Sequence, residues 1–464
     1  MKPFLRKEKV FYGNVFRLTI PIVLQNIITS TLAMMDTFMV GLLGEAEMAA
    51  LTLANIPIFV VQLLFFGVNS GAAVLISQYW GRENHDGIQQ VAGVAMGVVA
   101  TISFTVAMVL YFIPTQFLGL FGKDLTVVAL AAEYGQIIGI TYFLNSFTLQ
   151  YIGIYRSIGK PILGTCMLGV SMVANVFFNW IFIFGNFGAP AMGVRGAAVG
   201  TLIARVLEII IMIGHILWLK KSPDKFSLNL KRMVHPEWAT IVKFMQCSAP
   251  AIVNEGLWGL GTMVFPTIMG HMDDSVEILA AYTLVGNIEK LIMVAGFGLA
   301  ASAAIIVGRD IGTGENKESV KNTGMTLSLL GFCSGILSGG LMIFVGVVII
   351  PPVFSPIFQL SVLTTEIAIT MSILLGITMS LRTFNCVAVV GVMRGGGDVR
   401  VAAVIDVAPL WLVSVPLAYL IGVTLHMSIF WVYIAMSAEH VVKFLLGISR
   451  LCTTKWVKDL STTK

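Results

Sequence analysis

MAALTLA at residues 48–54 returns in the second half of the chain as LAAYTLV at residues 279–285. A long apolar run rich in glycine follows each copy and ends in a small polar loop, GRENHDG at 81–87 and GTGENKES at 312–319. Further out, Pro21 and Gly41 find counterparts in Pro250 and Gly270 at nearly the same offset. One half of the chain is therefore read as a diverged copy of the other.

The runs between these landmarks set the fold class. Of 464 residues, 57% are apolar and only 11% charged, where a soluble domain carries about 25% charge. The runs exceed the length of ordinary core helices, and a membrane span needs roughly 20 apolar residues. Twelve spans are expected, at 14–43, 50–79, 91–113, 130–153, 161–184, 194–218, 239–269, 278–307, 322–350, 364–393, 401–422 and 427–449. At this length only helices satisfy their own backbone in lipid, so the protein is read as an all-α polytopic membrane protein.

Lys and Arg orient it. Lys2, Arg6, Lys7 and Lys9 precede span one, and Lys220, Lys221, Lys225, Lys231, Arg232 and Lys243 crowd the central loop. Arg82, Arg156, Lys160, Arg309, Lys317, Lys321, Arg394 and Arg400 fall in loops on the same side, with Arg450, Lys455, Lys458 and Lys464 at the end. The opposite side holds only Lys123 and Arg195, beside Glu45, Glu47, Asp273, Asp274 and Glu277. Positive charge stays inside, so both termini are expected in the cytoplasm of a cell that carries the protein in its inner (plasma) membrane.

The net charge of +5 is then topological and implies no nucleic acid. The central basic loop reads as a topology marker and linker, with contact to anionic headgroups as the alternative. The five cysteines show no metal spacing and are expected as free thiols. No cleavable signal segment is expected, since the charged start leads into a full-length span. No GxxxxGKS/T loop occurs, which argues against direct ATP drive.

Six spans per half place both ends of each half on one side, so the repeats are parallel, related by a pseudo-two-fold axis along the membrane normal. The expected organisation is an N-lobe at 1–218, a cytoplasmic linker at 219–238 and a C-lobe at 239–464. Internal repeats of this size are the architecture of secondary transporters, with the substrate site between them.

Polar groups at membrane depth are costly and are functional candidates by default. Asp36 lies roughly 10 Å below the outer boundary of span one, counted at 1.5 Å per residue. Asn175 and Asn179 share one face of span five, roughly 9–15 Å down, and Thr201 lies about 12 Å down span six. A carboxylate, two amides and a hydroxyl at one depth suit a hard cation, or a proton held by a carboxylate in a low dielectric. The bland alternatives are a structural acid at Asp36, helix–helix bonding by the amides and back-bonding by Thr201. In the second lobe Glu255, beside Asn254, is a candidate second acidic site or a counter-charge for a cationic substrate; the alternative is a salt bridge to Arg382. Arg205 and Glu208, three apart, read as a local ion pair, and Glu289 and Lys290 as residues that find partners on other helices. Asp406 is expected near the interface.

At these residues the chain resembles the multidrug and toxic compound extrusion (MATE) transporters of bacterial type. The resemblance is carried by MMDTFMVGLLG (34–44) with MAALTLA, YRSIGKPILG (155–164), NVFFNWIFIFG (175–185), MGVRGAAVGTLIAR (192–205), FGLAASAAIIVGRDIGTGE (297–315) and MRGGGDVRVA (393–402). It runs through essentially the whole chain in order. It implies a monomeric, non-enzymatic antiporter of twelve helices in two six-helix lobes. Such an antiporter exports organic cations or other drug-like amphipathic molecules across the lipid bilayer against inward H⁺ or Na⁺, with no resident cofactor. The family's cation site carries over to Asp36, Asn175, Asn179 and Thr201. Some members place an acid on span ten, where this chain has Arg382 and only Glu366 near the outer end, so the coupling chemistry is expected in the N-lobe. A lipid-linked oligosaccharide flippase of the same fold is the alternative function.

Overall fold

The computed structural model describes residues 8–122, 124–221 and 226–461. Lys2, Arg6, Lys7, Lys123, Lys464 and residues 222–225 of the expected linker lie outside them. Twelve helical passes follow one another: α1 (Lys9–Gly41), α2 (Glu45–Gly81), α3 (His85–Phe112), α4 (Leu125–Ser157), α5 (Ile162–Phe184) and α6 (Gly193–Lys220), then α7 (Trp238–Met269), α8 (Ser275–Ile292, resuming as Val294–Gly312), α9 (Lys317–Ile357), α10 (Val362–Met393), α11 (Val399–Thr424) and α12 (Ile429–Leu451). Among the described residues eleven helices are long and apolar enough to cross a membrane. The long pass outside that set is α7, which carries Lys243, Asn254 and Glu255 along its length.

The duplication reaches down to single hydrogen bonds. Asn84, in the first polar loop, accepts the backbone N–H of Gly87 with its side chain and starts α3. Asn316, in the second, accepts from Glu318 and starts α9. Both loops read Glu-Asn at the turn, and the Asn side chain satisfies one of the donors that a helix start leaves open. Asp124 and Ser361 start α4 and α10 in the same way.

Two features depart from the expected spans. The eighth pass is broken at Met293, so that one run becomes two helices end to end. Several later passes also widen into π-helical stretches, at Val345–Phe354, Cys386–Met393, Leu410–Ser414 and Leu420–Thr424. Pro351 and Pro352 lie inside the first, and Pro409 and Pro416 flank the third. A proline has no N–H to give and its ring displaces the carbonyl four residues back, which drives the ladder to a wider register.

The chain forms two compact units, one of Leu24–Ile252 and one of the residues up to Val23 with those from Val253 onward. The change from one unit to the other comes inside α1 and inside α7, shortly after Pro21 and Pro250. In the first unit Met39, Val40, Leu51, Ile58, Leu110, Tyr134, Ile138, Ile183 and Val194 pack into one core. The connection after α6 also belongs to it. The buried amide of Gln89 holds that segment at both edges, donating to Ser227 O at 2.8 Å and accepting from Asn229 N at 2.8 Å. In the second unit Val15 of α1 packs with Leu299, Ala303, Val387, Val392 and Trp456. The Thr19 hydroxyl donates to Ser302 Oγ at 3.0 Å. Between helices in lipid, close van der Waals packing does the work that the hydrophobic effect does in water. Small residues serve it: a Cβ at Gly71 of α2 would stand 2.6 Å from the Ser248 Cα of α7.

Candidate functional site

The four residues expected at one depth are brought together in the first unit. α5 presents Asn175 and Asn179 one turn apart, both fully buried. Asn179 Nδ2 donates to Asp36 Oδ1 of α1 at 2.6 Å and to Asn175 Oδ1 at 3.1 Å. Asn175 Nδ2 in turn donates to Thr201 Oγ1 of α6 at 3.0 Å. Thr201 passes its own proton back to Ala197 O at 2.9 Å. Its back-bond and its place in the site coexist, because a hydroxyl donates once and still accepts. Asp36 is half-buried, so the fixed chain of buried amides ends on its most exposed member, a carboxylate.

This register depends on GAAVG at 196–200, a small-xxx-small pattern that lets two helices touch backbones. A Cβ at Gly196 would stand 2.4 Å from Phe182 O, and one at Gly200 would stand 2.2 Å from Asn179 Oδ1. Asn179 Oδ1 lies over Gly200, buried and without a hydrogen-bond donor. That motif was in plain view in the sequence as a composition of small residues, and its position beside Asn179 is what gives it meaning.

Chemically, the site is a carboxylate steadied by an amide N–H. A bond from a neutral donor to a charged acceptor contributes about 1.5–3 kcal/mol. A cation arriving at Asp36 competes with that bond. Oxygen donors of this kind, one charged and the others neutral, accept H⁺ or a hard cation such as Na⁺. The ion pair expected between Arg205 and Glu208 is present on α6.

In the second unit the expected partner of Glu255 is corrected. Arg382 pairs with Glu289 of α8; Glu255 pairs with Arg394, at 2.9 Å from Nη1 to Oε1. Arg394, expected among the loop cations, has a side chain only 1% exposed. The reason is the π-helical stretch Cys386–Met393, which carries α10 on to Arg394 and delivers the guanidinium to the packed interior of the unit. Asp406, expected near the interface, lies at the hub. It takes Arg394 Nη2 at 3.4 Å, Asn254 Nδ2 at 3.0 Å and Lys443 Nζ at 3.2 Å. Lys443 also stands 3.1 Å from Glu439 Oε2, an ion pair whose angle makes no hydrogen bond. His440 Nε2 lies 3.6 Å from Glu439 Oε1. Glu439 and Lys443 escaped the sequence reading, although their i,i+4 spacing inside an apolar span was the signal that could have found them. Lys290, expected with a partner, is exposed.

The MatE family model matches the chain twice, over residues 21–181 and 250–420. The chain is 25% identical over 456 residues to "Uncharacterized transporter YisQ" of Bacillus subtilis, covering 97% of this chain and 96% of that protein. It is also 25% identical over 471 residues to "Probable multidrug resistance protein NorM" of Thermotoga maritima, covering 98% and 96%. Among solved structures, a Vibrio cholerae MATE transporter superposes with a TM-score of 0.83 at 18% identity, over 97% of this chain and 98% of that one. A transporter of the MOP superfamily from Pyrococcus furiosus gives 0.81 at 19% identity, over 95% and 96%. At these identities the structures speak for the fold, which is the twelve-helix, two-lobe one.

Proposed function

Since the chain belongs to the MatE family, whose model it matches in both halves, we propose that it is a secondary active antiporter exporting cationic or amphipathic organic compounds. The drive is inward movement of H⁺ or Na⁺ at the group Asp36, Asn175, Asn179 and Thr201, where the cation is taken up by the Asp36 carboxylate in competition with the Asn179 N–H donor. The observation that carries this reading is the hydrogen-bonded chain from Thr201 through both buried amides to the Asp36 carboxylate. Charge at membrane depth is expensive. A carboxylate held ready by an N–H donor therefore has two stable conditions, bare with the amide bonded, or neutralised by a cation with the amide released. A change of charge coupled to a change of helix–helix bonding is what an exchange cycle needs, because a bound ion shifts a conformational equilibrium only by its differential affinity for the two states.

Glu255 belongs in this reading to the internal charge network of the second unit, since its carboxylate is already engaged by Arg394. The Lys and Arg distribution supports cytoplasmic termini; residence in the inner membrane as a monomer is part of the same proposal.

Reconstitution into vesicles, with export of a fluorescent organic cation followed under an imposed pH gradient and an imposed Na⁺ gradient in separate runs, tests the proposal. One of the two gradients should drive export, and Asp36→Asn should abolish that drive in a protein that still folds and inserts. Export at the wild-type rate by Asp36→Asn would overturn it.

A further inference from the structure

One and two turns along α6 from Thr201 stand Arg205 and Glu208. Glu208 is fully buried, with the Arg205 Nη1 donor on one oxygen and the Thr148 hydroxyl of α4 donating to the other at 2.8 Å. Thr148 is itself fixed beside Asn145. The Arg205 side chain is 12% exposed. It stands one turn from Thr201, which the Asn175 and Asn179 amides join to Asp36. The other titratable groups facing Asp36 are Tyr134 and Tyr142 of α4. The Tyr142 hydroxyl is held by Gln62 of α2 at 2.9 Å. Tyrosine is neutral at neutral pH, so among the described residues the charged groups placed here are the Asp36 and Glu208 carboxylates and the Arg205 guanidinium. One negative charge is in excess, and one monovalent cation balances it.

We propose that Arg205 and Glu208 are positioning residues that set how tightly the Asp36 site holds its coupling cation. This rests on the reading of Asp36 given above. A lone carboxylate in a low dielectric would bind a cation too firmly to release it within a transport cycle. A guanidinium left free beside it would neutralise it outright and leave no room for a cation. Glu208 resolves the conflict by taking the guanidinium into an ion pair of its own, with Thr148 keeping the Glu208 carboxylate turned toward it. Only a fraction of the positive field then reaches Asp36, enough to loosen the cation and too little to replace it.

The test follows export of the fluorescent cation against coupling-cation concentration and reads the midpoint rather than the rate. A unit charge within about 10 Å at an effective dielectric near 20 changes cation affinity roughly tenfold or more. Glu208→Gln frees the guanidinium, so its midpoint should rise roughly tenfold in cation concentration. Arg205→Gln removes the opposing charge, so its midpoint should fall by a similar factor. The neutral double variant should lie between wild type and Arg205→Gln, since Arg205 is one turn and Glu208 two turns along α6 from Thr201 of the Asp36 group. A merely structural ion pair would lower the amount of folded protein and leave the midpoints where they were. Any other order of midpoints overturns the inference. Should the single variants fail to assemble, the double variant decides, and a wild-type midpoint or a failure to fold in it makes the pair structural. Asp36→Asn is run alongside: if it still exports, the reading of the site falls. If it is inactive and the midpoints do not move, this inference alone falls.

Discussion

Gly200→Ala puts a single methyl group where α6 meets the Asn179 amide. That Cβ would stand 2.2 Å from Asn179 Oδ1 and 2.9 Å from Asn179 N, about 1 Å inside the nearest approach to oxygen that packed carbon makes. The backbone nitrogen sits in a helix and cannot withdraw, so the amide turns or α5 shifts. A displacement of about 1 Å takes the 2.6 Å bond to Asp36 and the 3.1 Å bond to Asn175 beyond hydrogen-bonding range. The larger loss is the bond to the charged carboxylate, about 1.5–3 kcal/mol. Since that bond steadies the ion-free form, its loss should make Asp36 hold its cation roughly ten- to a hundredfold more tightly. The export midpoint should move to lower cation concentration by that factor, with a slower maximal rate because release is delayed. Helix propensity offsets about 0.5–1 kcal/mol of the clash, and the folded yield is measured beside the midpoint. The assay is vesicle export against a graded coupling cation at fixed substrate. An unchanged midpoint would refute the steric argument, and a midpoint at higher cation concentration would show that Asn179 acts as a ligand to the ion rather than as a donor to the carboxylate.

Asn179→Ala should shift the midpoint in the same direction as Gly200→Ala, read in the same vesicles; a shift the other way speaks against the donor role. Glu255→Gln should cost about 3 kcal/mol by taking a charged partner from buried Arg394, measured by thermal unfolding in detergent. A double-mutant cycle between Glu255 and Arg394 should return a large coupling energy. The same cycle between Glu255 and Arg382 should be additive to within about 0.5 kcal/mol, because Arg382 is engaged by Glu289. After replacement of the exposed Cys166, Cys333 and Cys452, Lys221→Cys should react with an impermeant thiol reagent only once cells are opened. Labelling in intact cells would invert the proposed orientation.

The sequence made the first unit far more legible than the second, and the reason is geometric. Asp36, Asn175, Asn179 and Thr201 lie in unbroken helices, where 1.5 Å per residue converts position into depth without accumulating error. In the second unit the π-helical turns change both rise and facing direction. Arg394 follows such a stretch and reads as a loop residue, whereas Arg382 lies in the regular helix before it, so that depth alone did not tell which of the two meets Glu255. Which carboxylate meets which cation is decided by the facing of four helices, and no residue pattern along one helix contains that. The repeat itself was legible as a pair of polar loops, and the structure adds the Asn84 and Asn316 caps within them, a local matter of two or three residues.

The division of α1 between the two units has a consequence for biosynthesis. Residues 24–252 are contiguous, so the ribosome has delivered every part of that unit once Ile252 has emerged. The residues up to Val23 leave the ribosome before all of them, yet Val15 and Thr19 find their packing partners in Leu299 and Ser302, which come nearly three hundred residues later. At about 5–20 residues per second that opening stretch waits roughly 15–60 seconds in the bilayer for the surface it completes. The first segment made is thus among the last to be locked, and a nascent chain stalled after Ile252 should hold one finished unit and a helix whose opening turns still lack their neighbours.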